Sequence, residues 1–237
     1  MKDADYYKRD GNRYPRVTSI TGQFDKSGPL TSWAANSACD YILDEINVRT
    51  TEDGGEWIEP GDLWPIIEAA RKEFRRVSTK ALDIGSAVHT AIEHYLKTGQ
   101  EPPNPSEQIL SAFLAFLEWA DEYQLNPLQT EMTLFGNGYA GTCDVVAWIK
   151  LNGEPRRYLI DFKTSKKPYR NKPYNEWGWQ LAAYRACLPD VEGAGVLRLD
   201  KETGYPDWYD LSENYDDDLK VFLALKDVWW ARHPNFK

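Results

Sequence analysis

The stretch Tyr158-Leu159-Ile160-Asp161-Phe162-Lys163-Thr164-Ser165-Lys166 constrains this chain more than any other. Its apolar first half has strand character, and an acid and a base then follow two residues apart. Period-two alternation puts Asp161 and Lys163 on one face of a strand and Phe162 on the other. Burying either charge unpaired costs several kcal/mol. The pair is therefore expected on a solvated edge or cleft, and the plainest account is an exposed strand carrying an ion pair. Asp-x-Lys alone is a weak signal, because three-residue matches are common by chance.

The neighbouring stretches raise its weight. Gly138-Tyr139-Ala140-Gly141-Thr142-Cys143-Asp144-Val145-Val146-Ala147-Trp148-Ile149 reads as a glycine-containing turn followed by a β-branched and aromatic strand with an acid at its entrance. A short turn at Asn152-Gly153-Glu154-Pro155 would pair the two strands and set Asp144 beside Asp161. Upstream, Asp83 to Leu96 reads as an amphipathic helix carrying His89. Downstream, Trp177 to Leu188 reads as a helix with Gln180 and Tyr184 one turn apart on the same face. Each residue has an ordinary alternative, a helical histidine in packing or a tyrosine in a core. Their order is what argues against coincidence.

That order, Gly85-x-x-x-His89, Gly141-x-x-Asp144, Asp161-x-Lys163 and Gln180-x-x-x-Tyr184, resembles the RecB-like branch of the PD-(D/E)XK nucleases. Tyr14-Pro15-Arg16-Val17-Thr18-Ser19-Ile20, followed by a helix with Trp33-Ala34-Ala35, is similar to the phage and mitochondrial genome maintenance type single-strand exonucleases of that branch. The resemblance implies an α/β fold with a central mixed β-sheet flanked by helices, and catalytic roles for Asp144, Asp161, Lys163, Gln180 and Tyr184. It implies Mg²⁺ or Mn²⁺ held by His89, Asp144, Asp161 and the Phe162 backbone carbonyl, with Glu131 as a further acid. Some relatives hold an iron-sulfur cluster on four cysteines. Cys39, Cys143 and Cys187 cannot supply four, so no cluster is expected.

A net charge of −9 argues against general coating of nucleic acid, since phosphate neutralisation needs positive charge. Binding depends on a local patch, however, and acids gathered for a cation contribute to the total. Lys163, Lys166, Lys167, Arg170 and Lys172, with Tyr169 and Tyr174 among them, form such a patch. Basic side chains interleaved with aromatics suit a single strand, whose phosphates are tracked and whose bases stack; the ordinary reading is a solvated loop. Three widely spaced cysteines suggest no disulfide framework and fit a reducing, cytoplasmic setting; the resemblance implies that the cell is bacterial or phage-infected. No stretch reaches the roughly twenty apolar residues of a membrane span, and the polar start is no signal peptide.

Taken in order, residues 1–16 read as an irregular lead-in and Val17 to Thr21 as a short strand or turn. Helices are expected from Thr31 or Ser32 to about Glu45, from Asp62 to about Val77, and over the His89 segment, which should end near Thr98-Gly99. The segment 50–61 reads as a loop between the first two. A helix over Ser106 to Tyr123 precedes a switch to strand period at Pro127. Strands are expected at 128–135, 139–150 and 156–163, then the Gln180 helix, a hairpin of 191–200 and 205–211, and a last helix over 214–232. A single domain of 237 residues is expected, with 1–125 a mainly helical accessory portion and 126–237 the α/β core.

With the resemblance, this reads as a divalent-metal-dependent DNA exonuclease acting on single-stranded ends in recombination, repair or replication, with a partner protein of those processes. An endonuclease of the same fold and a non-catalytic nucleic-acid-binding module are the alternatives.

Overall fold

The computed structural model describes residues 6–24, 27–52, 60–165, 171–200 and 203–236, with side chains described except at 27–29, 48–52, 60 and 81. Packing divides the chain into two compact units, residues 25–83 and the remainder. In the smaller unit, helix α2 (Ser27–Glu52) and the first part of α3 (Pro60–Thr98) are joined by an edge contact of Trp33 with Phe74, ring centroids 6.5 Å apart. The larger unit includes the rest of α3 and α4 (Glu107–Glu122).

The larger unit is built on a five-stranded mixed sheet in the order β3-β4-β5-β6-β7, formed by Asn126–Gly136, Tyr139–Leu151, Glu154–Ser165, Gly193–Asp200 and Pro206–Asp210. All neighbours are antiparallel except β5 and β6. That parallel pair needs a crossover, supplied by α5 (Asn175–Arg185). Asn152 and Gly153, with φ of +51° and +87°, make the two-residue turn that fixes the β4–β5 register.

Both sheet faces are covered. Val146, Leu159, Val196 and Tyr209 pack with α1 (Val17–Thr21), α5 and α6 (Tyr215–Arg232). On the other face, Val145, Ala147, Ile160, Phe162 and Leu197 pack under Val88 and Ile92 of α3 and Phe113, Phe116 and Trp119 of α4. The expected α/β class with flanking helices is what the chain adopts. Strand period places the apolar residues of β5 alternately in the two layers, so neither face is free to be polar along its length.

Four expectations about elements are corrected. Residues 6–15 are an antiparallel hairpin, β1 (Tyr6–Arg9) and β2 (Asn12–Pro15), anchored by Tyr6 against Phe236 and by Tyr14 against Phe135. Val17–Thr21 is one helical turn whose Val17 and Ile20 are fully buried. α2 continues past Glu45 to Glu52, leaving 53–59 outside the described residues. The two helices expected around Val77 and Asp83 are one, because Ser78 to Asp83 contains neither glycine nor proline to interrupt it.

Candidate functional site

β5 is third of five strands, so its centre is buried rather than edge-exposed. The expectation of a solvated ion pair fails there: Asp161 is 2% exposed. It shares the face of Leu159, beneath α5, and Lys163 follows on that face towards the strand end. A buried carboxylate needs compensation. Asp161 Oδ1 accepts a hydrogen bond from Gln180 Nε2 at 2.9 Å, and Oδ2 lies 2.5 Å from Lys163 Nζ. Oδ2 is in ionic contact but receives no aligned hydrogen bond. Gln180 Oε1 accepts from Lys163 Nζ at 3.3 Å, closing a triangle of acid, amide and ammonium. One turn along α5, Tyr184 OH accepts a long contact from Gln180 Nε2 at 3.5 Å.

Asp144 reaches this group through a kink in β4. Cys143 packs in the α5-side core and Val145 in the α3-side core, although strand period would put them on one face. The flanking pairs Thr130↔Val145 and Met132↔Cys143 locate the distortion opposite Glu131, which has φ of +50°. The last registered β4–β5 pair on this side is Val145↔Ile160, one step short of Asp144 and Asp161. Freed from the ladder, the Asp144 carboxylate accepts a hydrogen bond from the Phe162 backbone N–H at 2.7 Å. Gly141 has a steric role: a Cβ there would lie 2.5 Å from Tyr184 Cε1, so only glycine leaves room for that ring. Gly85 faces Thr164 at an ordinary 3.8 Å, and packing does not require a glycine there.

His89 stands at the rim of α3, its ring edge-on to Phe162 at 6.2 Å. Its Nδ1 is 3.6 Å from Asp144 Oδ2, beyond hydrogen-bond reach. Burial pushes the imidazole pKa down, against the attraction of Asp161, so His89 is neutral and keeps a lone pair. Burial, and then repulsion by Asp161, raises Asp144 well above the usual carboxylate range despite Lys163 and the Phe162 N–H. Burial disfavours the Lys163 ammonium too, but Asp161 and Asp144 outweigh it and raise its pKa. Tyr184 is raised by burial and by Asp161, and stays a neutral phenol. Glu131 is raised by burial and by Glu93. Burial pushes the Cys143 thiol up to about 12, so the sulfur beside Asp144 is inert.

The fold thus gathers His89, Asp144, Asp161, Lys163, Gln180 and Tyr184, with Glu131 exposed at the kink. Lys166, Lys167, Tyr169 and Arg170 lie outside the described residues; Lys172 is exposed. Among the described residues, no three acids or imidazoles are close enough to form a ready cation cage. Their chemistry nonetheless fits a cation. The buried Asp161 and the partly buried Asp144 repel each other, one Asp161 oxygen has no aligned donor, and Lys163 now balances the charge. Sequence reading missed Arg198, beside Lys163 in the β5–β6 register. It is buried at 2% exposure, donates to Asp207 and Asp200, and holds the Ser165 carbonyl at the end of β5. Asp200 lies two residues on in the same strand, but Asp207 and the Ser165 carbonyl reach Arg198 only through the register of β5, β6 and β7.

No protein-family model matches the chain, and no curated protein matches it either. Among solved structures it is similar to an alkaline exonuclease, LHK-Exo, from Laribacter hongkongensis, at 14% identity over 59% of this chain and 78% of that one, with a TM-score of 0.33. LHK-Exo in complex with dAMP is similar at 15% identity over 59% and 78%, TM-score 0.30. SSO0001 is similar at 16% identity over 60% and 72%, TM-score 0.29. Likenesses this slight carry no weight beside the geometry of the site.

Proposed function

We propose that this chain is a divalent-metal-dependent nuclease that hydrolyses DNA phosphodiester bonds from single-stranded ends, in recombination, repair or replication. The observation that carries the proposal is the buried triangle of Asp161, Lys163 and Gln180 with the Asp144 carboxylate beside it. Interior carboxylates set against each other destabilise a fold, and a hydrolytic metal site gives a reason to retain them.

Asp144, Asp161, the Phe162 carbonyl and the neutral His89 would hold the cation, which suits Mg²⁺ or Mn²⁺. Such an ion supplies Lewis acidity and a more acidic bound water when present. Lys163 is held protonated by its acidic neighbours, so it serves as a fixed positive charge for the phosphoryl oxygens rather than as a base. Gln180 keeps Lys163 and Asp161 at a set separation by bonding both. Tyr184, neutral at working pH, offers a hydroxyl to the substrate or to Gln180.

The test is digestion of linear and circular single-stranded DNA, with 5′- and 3′-labelled linear strands, in Mg²⁺ or Mn²⁺. Loss of the linear strand with the circle spared supports the proposal. Equal attack on the circle points to an endonuclease on the same fold. No cleavage of either, with tight binding, makes the chain a non-catalytic binding module and defeats the proposal.

A further inference from the structure

Residues 6–16 contain four basic side chains, Lys8, Arg9, Arg13 and Arg16, and a single acid, Asp10, in a chain of net charge −9. Hairpin register sorts them by face. Tyr7 pairs with Tyr14 and Arg9 with Asn12, so these share one side, whereas Tyr6, Lys8, Arg13 and Pro15 share the other. The first side lies along the β3–β4 ribbon. Tyr14 meets Phe135 edge-on at 5.2 Å, the Arg9 guanidinium stands 5.1 Å from the Phe135 ring centre, and the Tyr7 hydroxyl hydrogen-bonds Thr142 Oγ1 at 2.8 Å. Arg16 follows, its guanidinium 5.0 Å from the Tyr7 ring centre and its backbone bridged to Ala140. Its Nε is buried without an acceptor, and among the described residues it has no carboxylate partner. Thr142 is two residues from Asp144, so this row of cations and rings ends at the acids.

We infer that the side chains of Tyr7, Arg9, Tyr14 and Arg16, where the β1–β2 hairpin meets the β3–β4 ribbon, form the rim along which a single strand reaches the site, Arg9 and Arg16 meeting phosphates and the half-exposed Tyr14 ring meeting a base. The inference rests on the nuclease reading and adds to it the residues that guide the strand. Stacking on aromatic rings fixes the guanidinium planes before a phosphate arrives, and Arg presents a planar fork suited to phosphate oxygens. Cations alternating with rings suit a flexible strand, which offers charge and stacking together. The hairpin is tied down at both ends, by Tyr6 against Phe236 and by the Arg16 bridge, so its side chains hold their places relative to Asp144.

The experiment uses the full chain and a fluorescent single-stranded oligonucleotide in EDTA, where binding is read without cleavage, followed by steady-state cleavage in Mn²⁺. Arg9→Gln with Arg16→Gln should weaken binding about tenfold, flatten the slope of log K against log salt by about 1.4, and raise KM more than it lowers kcat. Lys8→Gln with Arg13→Gln removes the same charge from the opposite side and should change binding less than about twofold. Should the first pair lower thermal stability, Arg9→Gln alone, at an exposed position, should still flatten the slope by about 0.7. Equal effects from the two pairs, or unchanged binding by the first, overturn the inference while cleavage by the wild type keeps the nuclease reading. Binding that responds to Arg9 and Arg16 in a protein that cleaves nothing supports the strand path and removes the nuclease reading instead.

Discussion

Gly141 and Tyr184 are packed so closely that a methyl group on Gly141 would sit 2.5 Å from the ring and 2.8 Å from its hydroxyl oxygen. The ring is 3% exposed and has no open space to retreat into. Gly141→Ala should therefore destabilise the protein by about 2 kcal/mol, as overpacking of a tight core does. Denaturant unfolding reads this. Tyr184→Leu should restore part of the loss in the Gly141→Ala background, and Tyr184→Phe should not, because the ring carbons clash as well as the oxygen.

Lys163 is the positive charge set against the buried Asp161 and the partly buried Asp144. Lys163→Met should destabilise the metal-free protein by about 3 kcal/mol, since it leaves buried carboxylates without a counter-charge. Added Mn²⁺ should recover much of that loss if those carboxylates bind it, while cleavage stays absent. Thermal unfolding with and without Mn²⁺ checks both points; a variant as stable as the wild type in EDTA would contradict the charge balance described.

Asp144 predicts a pH dependence whose sign is fixed. Its folded-state pKa is raised, above all by burial and then by Asp161, so the folded protein holds that proton more tightly than the unfolded chain does. Its contribution is complete below the ordinary carboxylate range and is lost as pH rises through the raised value. Asp144→Asn should therefore match the wild type at acid pH and exceed it in stability near neutrality in EDTA. The same variant should lose the stabilisation by Mn²⁺ and all cleavage. Unfolding curves across the pH range measure the first effect, and an Asp144→Asn protein less stable at neutral pH would refute it.

Gln180 touches both Asp161 and Lys163 without carrying charge. Gln180→Ala should lower kcat by roughly tenfold to a hundredfold, and Asp161→Ala by about a thousandfold or more, as expected for a positioning amide against a group that holds charge in place. Gln180→Glu should be worse than Gln180→Ala, because it adds a third acid beside Asp161. Single-turnover cleavage distinguishes the three, and equal losses for Gln180→Ala and Asp161→Ala would reassign the amide.

Most elements were legible because periodicity is a short-range property. The alternation in Tyr158 to Lys163, the Asn152-Gly153 turn and the one-turn spacing of Gln180 and Tyr184 each depend on a few adjacent residues. The strands from β3 to β7 fall within a few positions of where the pattern puts them. The continuity of α3 is equally local, because no glycine or proline lies between Val77 and Ile84 to interrupt it.

The sequence by itself determined the α/β class, the order of strands and helices, and that Asp161 and Lys163 share a face while Phe162 does not, since backbone geometry imposes these wherever the chain lies. Tertiary structure alone decided that the pair is interior, because burial depends on β5 being central and roofed by α5. It also decided that a kink opposite Glu131 turns Asp144 towards Phe162, that Arg198 braces the end of β5, and that a basic hairpin at the chain start ends beside the acids. These relationships join residues tens to well over a hundred positions apart, and register and packing, which no local pattern encodes, set the distances between them.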